Sequence, residues 1–377
     1  MGLYASDMVE IPEFTHPDIA GVTFGGFEVG AFQASQPNAT PDDDNPDVAD
    51  SADPGAVPAI TRPGVPPWTV LTFHQARKAA ANLGVGFHLI TAFEWASLAL
   101  WSQANGTMPH GNNRNTNPPA DVAYTSEIAK IDRAAIARNA TYYRCLCGTA
   151  NSNNWSHNHQ ADGVFDLNGN VWEWNEGMFL MPAAQNNSNG VQIGAGDTSG
   201  HALVLGSVQV TQARAPYGAS TATGANSLTD ANKGWTVNEF AAMYLYDAAG
   251  VLRLIASNTA TVLTLTAGGA TPTAGAYSIV KYVATDITAG MSSGNKILTL
   301  RNADADLKPF AIPATSDGTG SDTYGKDVFY FDKTALRAAL RGGSWSDGAN
   351  AGVFALGLNI APSGADVTFG FRVAKSL

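Results

Sequence analysis

The stretch GVFDLNGNVWEWNEG, Gly163 to Gly177, constrains the fold of this chain more than any other. Its Asn168–Gly169 pair is a tight-turn signal, because both residue types tolerate positive φ. Directly after the turn, Trp172 and Trp174 alternate around Glu173, the period of a β-strand. Indoles of that size on one strand face anchor a deep core, and each N–H needs an acceptor there. A chain of 377 residues that is 45% apolar and 9% aromatic can supply such a core, which excludes global disorder. Charged residues make up only 14%, against 39 glycines and 19 prolines, a mixture suited to many loops and strands rather than to a helical bundle.

The formal net charge of −11, with no basic stripe anywhere, removes the phosphate attraction that drives nucleic-acid binding. No nucleic-acid partner is expected. Nor is membrane insertion, since no run of about 18 apolar residues occurs. The N-terminal MGLYASDMVEIP lacks the basic start and apolar run of a signal peptide, although it fits the loose Met-Gly-x-x-x-Ser acylation pattern. Cys145 and Cys147 are separated by one residue, a spacing that strains a disulfide, so they are read as thiols or packing residues.

Along the chain, Gly21–Ser35 reads as strands punctuated by glycine, followed by a Pro/Asp-rich loop over 37–67 with six aspartates. Two capping boxes announce helices: Thr72 with Gln75, stopping at Gly84, and Thr91 with Glu94, stopping at Gly106. A third helix is expected over Ser126–Ala140. From about Met178 to Leu336 the texture shifts to short strands such as ALVLGSVQV, AYSIVKYVA, NKILTLR and VFYFD, with no fixed repeat.

Three stretches together resemble the C-type lectin fold of the formylglycine-generating enzyme type. The first is Trp68–Leu100, where HLIT stands for the family's Arg-Leu-Pro-Thr connector and Glu94–Trp95 match. The second is Gly163–Gly177, similar to the family's Gly-Asn-Val-Trp-Glu-Trp core. The third is RGGSW at 341–345 with GFR at 370–372. The resemblance implies an α+β fold in which 1–177 and 337–377 form the lectin-like part, interrupted by a β-rich insertion over 178–336. It also implies a structural calcium ion on Asp166, the carbonyls of Gly169 and Val171, and Glu173, oxygen ligands of the type calcium takes. The competing reading is that both acids accept hydrogen bonds from loop backbone.

An enzyme is not expected. The oxidase for which that fold is named binds copper through two cysteines, which soft metal chemistry requires, but Trp345–Leu356 contains none. His157 and His159 are the only close histidine pair, and no Gly-x-Ser-x-Gly elbow or HExxH helix occurs. No cofactor is required beyond the structural calcium.

The last segment instead resembles the variable region of diversity-generating retroelement proteins, which use this fold as a receptor scaffold. In that family miscopied adenines randomise AAC codons, which cannot yield Lys, Glu, Gln, Met or Trp. None of those five occurs between Ser346 and Arg372. The resemblance implies a variable region over 344–368 displaying Ser346, Gly348, Asn350, Gly357, Asn359, Ile360, Gly364, Asp366 and Thr368, with Asp347, Leu356 and Leu358 as second choices. Gly342, Gly343, Trp345, Gly370, Phe371 and Arg372 would frame it. The implied function is non-enzymatic recognition of a protein or glycan partner, on a phage particle or another surface assembly. An inert phage-tail or scaffold protein is one alternative, favoured by the alternation of Phe354, Leu356, Leu358 and Ile360 as one buried strand face, and a divergent metallo-oxidase of the formylglycine-generating type is a second. Solvent exposure of Ser346–Thr368 separates the recognition protein from the inert scaffold.

Overall fold

The computed structural model describes residues 7–41, 56–194, 196–197, 199–208 and 211–377. The six aspartates of the 37–67 loop and the acylation pattern at residues 1–6 lie outside the described residues.

Both capping boxes form. Thr72 caps the helix Phe73–Ala81, and Thr91 caps the helix Ala92–Asn105, which ends on left-handed Gly106. The first helix ends on Asn82 rather than at Gly84. The expected third helix shrinks to Arg133–Arg138, because Ile128 and Ile131 pair in bridges with Ala120 and Cys145 instead.

The expected α+β class is wrong. With 32% strand and 11% helix, the protein is mostly β. Fifteen strands join in one sheet, at whose centre Trp172–Leu180 lies beside Arg337–Gly342, then Gly352–Ile360. Strands from 178–336 extend this sheet in both directions. His201–Leu205 pairs with Trp172–Leu180 and leads on to Ala276–Asp286, while Val328–Phe331 lies parallel to Gly352–Ile360. The helical signals at 72–106 are real, but hydrogen-bonding edges on either side recruit every strong strand signal of 178–336 into the same sheet. A smaller four-stranded sheet joins Met8–Ile11, Phe27–Gly30, Val373–Ser376 and Phe87–Leu89.

The core lies on both faces of the long sheet. One face packs on the Ala92–Asn105 helix, with Met178, Leu180, Val353, Phe354, Leu356 and Leu358 pointing to it. The other packs on Phe73–Ala81, with Trp172, Trp174, Phe179, Leu340 and Ala355. Coverage of both faces explains why all nine residues of Trp172–Leu180 are buried, Glu173 among them.

Candidate functional site

At Gly342 and Gly343 the chain turns through two successive positive φ angles, +93° and +84°, and a methyl group on Gly343 would overlap that of Ala351. Trp345 follows, 3% exposed, its ring 5.8 Å from Tyr142 and its backbone N–H bonded to the Asn170 carbonyl at 3.1 Å. Asp347 then gathers three donors on Oδ2: the Ser344 N–H (2.7 Å), the Ser344 hydroxyl (2.6 Å) and the Trp172 indole N–H (3.0 Å). This carboxylate ties the turn to the floor beneath it.

The strand Gly352–Ile360 is held by backbone contacts to charged and aromatic groups. Arg341 donates to the Phe354 carbonyl (3.1 Å) and the Phe310 carbonyl (2.7 Å), while Asp327 accepts from the Phe354 N–H (2.7 Å). The Trp95 indole donates to the Val353 carbonyl at 2.7 Å. Burial drives Asp327 well above the usual carboxylate range and lowers Arg341 to about 9. Beyond the strand, the Asp366 carbonyl accepts from Val70 (3.1 Å) and the Pro362 carbonyl from Phe73 (3.1 Å). The Asp366 carboxylate accepts from the Thr368 N–H (2.9 Å) and hydroxyl (2.7 Å), closing the loop on itself.

The predicted variable residues divide. Ser346 and Asp366 are exposed, and Gly348, Asn350, Asn359, Ile360, Gly364 and Thr368 are half-buried. Residues 351–358 are buried, which removes Leu356 and Leu358 from the display set: both are 0% exposed, packed with Phe354 against the Ala92–Asn105 helix. Gly357, although buried, opens a cleft of about 190 Å³. Its floor is Trp172, Tyr330, Leu340 and Phe369, and its rim is Asp347, Gly357, Asn359 and Ile360. The Trp172 and Tyr330 rings meet edge to face at 6.3 Å. An added Cβ on Gly357 would lie 3.6 Å from the Trp172 ring, so the missing side chain is what leaves that ring reachable. Of the nine predicted residues, Gly357, Asn359 and Ile360 line this cleft; Gly364 comes close to Ile360, and Asn350 hydrogen-bonds Tyr330.

Tyr330 and Phe369 are absent from the sequence-based set. The register places Tyr330 directly beside Gly357 in a parallel pair, a relation no local motif encodes. Phe369 lies between Thr368 and the framing Gly370, and its half-buried ring was open to notice.

The calcium expectation does not fit. Arg372 binds both oxygens of Glu173 (2.8 and 3.0 Å), and Gln33 Nε2 donates to Glu173 Oε1 (3.0 Å), the Val171 carbonyl (3.0 Å) and the Asp166 carbonyl (3.2 Å). A guanidinium and a carboxamide thus already occupy the oxygens of Glu173 and Val171. Asp166 accepts from the Gly148 N–H at 2.8 Å on Oδ2, and burial raises its carboxyl to about 6. With Glu173 and Val171 committed, Gly169 and Asp166 do not make a calcium site.

Neither cysteine and neither member of the His157/His159 pair lines the cleft. Cys145 and Cys147 are free, fully buried thiols, and burial pushes both well above the ordinary thiol range. His157 is lowered to about 4 by burial and accepts from the Val164 N–H (2.9 Å), whereas His159 points to the Met108 carbonyl at 3.2 Å. Among the described residues no three His, Cys, Asp or Glu side chains group so as to hold a metal, and no helix is long and apolar enough to cross a membrane. Neither the models of known protein families nor the curated proteins contain a match to this chain.

Proposed function

We propose that this is a non-enzymatic recognition protein of the diversity-generating retroelement variable type, carried on a phage particle or another surface assembly. It binds a protein or glycan partner through the cleft over Trp172 and the rim around it, and recognition requires no cofactor. The observation that carries this reading is a separation of labour within one segment. Buried groups that belong to the frame, Arg341, Asp327 and Trp95, fix the backbone of Gly352–Leu358. Asp347 and Asn350 reach Trp172 and Tyr330, whereas several other side chains around the cleft bond only locally, as Asp366 does to Thr368 and Ser346 to Ser344. Such rim groups can change without disturbing the core.

A cleft of about 190 Å³ over three aromatic side chains suits one inserted side chain or one sugar ring, the kind of anchor that dominates interface energetics. Short polar side chains at Ser346, Asn350, Asn359 and Thr368 supply adaptable hydrogen bonds around it. Sequencing the surrounding locus tests the reading. The expected result is a second, imperfect copy of the DNA encoding 344–368, differing chiefly at adenines and lying beside a reverse transcriptase. A locus without that copy overturns the retroelement assignment. Randomising Ser346, Asn350, Asn359, Asp366 and Thr368 together tests the display itself. Most members keep the wild-type melting profile if these residues are displayed, and an inert scaffold that needs them loses it.

A further inference from the structure

A second cavity, of about 310 Å³, shares no lining residue with the cleft over Trp172. It opens between the Gly84–His88 connector and the segment Tyr217–Thr221, and Gln212, Asp230, Asn232 and Lys233 complete it. Its volume falls at the small end of ligand pockets, roughly 300–1,000 Å³.

Lys233 is the unusual group in its wall. The residue is only 8% exposed, and Nζ donates to one acceptor, the Gln212 carbonyl at 2.7 Å. No carboxylate of the described residues lies within ion-pair distance of it. The nearby acid, Asp230, is turned to other donors: the Tyr277 hydroxyl on Oδ2 (2.9 Å) and the Asn232 N–H and amide on Oδ1 (3.1 and 3.3 Å). His88 is committed as well, one ring nitrogen to the Gly86 carbonyl (2.9 Å) and the other to Glu94 (3.0 Å). The Tyr217 hydroxyl donates to Glu94 at 3.3 Å. The charge of Asp230 offsets part of the cost of burying this ammonium but gives Nζ no direct contact, which leaves room for an anionic oxygen to complete it. Burial lowers this amine to about 8, so it still carries its proton at neutral pH.

We propose that this cavity binds a small hydroxylated carboxylate of monosaccharide size, its carboxylate resting on Lys233 Nζ and its hydroxyls facing the amides of Gln212 and Asn232. The charge argument selects the carboxylate, and the hydroxyls and amides of Tyr217, Ser220, Thr221, Gln212 and Asn232 in the wall select a hydroxylated body. This inference is independent of the recognition function proposed for the cleft over Trp172.

Titration calorimetry on the full chain with D-glucuronate, D-glucose and inorganic phosphate tests it. Glucuronate is expected to bind about tenfold or more tightly than glucose, which lacks the charged group. Its affinity is expected to fall about tenfold between pH 7 and pH 9 as the amine, at about 8, loses its proton. Lys233→Met is expected to abolish that preference. Because this variant risks misfolding, the unsubstituted chain supplies a second readout: saturating glucuronate protects Lys233 from reductive methylation, mapped by mass spectrometry. Equal binding of glucose and glucuronate, binding of phosphate alone, no binding by any probe, or unprotected Lys233 each overturns the proposal.

Discussion

Glu173 and Arg372 are both fully buried and meet in a bidentate ion pair. Removing one member leaves the other charge desolvated, so Arg372→Met is expected to cost about 3–5 kcal/mol in urea unfolding. The expected loss exceeds that of any single rim substitution, such as Asn359→Ser, which stays within about 1 kcal/mol. Asp166 behaves differently. Its Oδ1 has no donor among the described residues, and burial raises its carboxyl to about 6. The folded state therefore holds this proton more tightly than the unfolded chain. The group's contribution is fully present near pH 4 and is lost as pH rises through 6. Compared with Asp166→Asn, the wild type is expected to lose about 2–3 kcal/mol between pH 4 and pH 7, read by denaturant unfolding across pH. A constant difference across that range would show that Asp166 is already ionised.

At the scale of elements, the two helices and the turn at 168–169 are legible in the sequence because a capping box and an Asn-Gly pair are local signals. Each involves residues within one turn of chain: Thr91 with Glu94, Asn168 with Gly169. The Trp172–Trp174 strand is legible for the same reason. The cleft is not, since Tyr330 and Gly357 become neighbours only through parallel strand pairing. Leu356 and Leu358 show a further limit: alternation marks a buried face, yet it says nothing about whether the other face is covered too. Two glycines of the segment illustrate the distinction between frame and display. Gly343→Ala combines positive φ with overlap on Ala351 and is expected to cost about 2–4 kcal/mol. Gly357→Ala meets its neighbours at 3.3 Å or more, and is expected to cost under about 1 kcal/mol while narrowing the cleft. Thermal melts of the two variants side by side check the contrast.

For the whole molecule, the placement of the 178–336 strands governs cooperativity. They cover the edges of Trp172–Leu180 and Gly352–Ile360, so excising 178–336 exposes hydrogen-bonding edges and apolar surface together. A single calorimetric transition is expected for the intact chain, with no folded product from the excised one. A well-dispersed NMR spectrum of the excised protein would contradict that. The mostly β class carries a kinetic consequence too, since sheets built from distant pairings fold slowly. Arg372 reaches the Gly30 carbonyl 342 residues back in sequence, and the following strand, Val373–Ser376, fills the gap between Phe27–Gly30 and Phe87–Leu89. During synthesis, then, the earliest strands wait through nearly the whole of translation for the neighbour that closes their sheet. A ribosome that stalls just short of Arg372 leaves an unneutralised acid at the heart of its nascent product, an unfinished state for quality control to recognise.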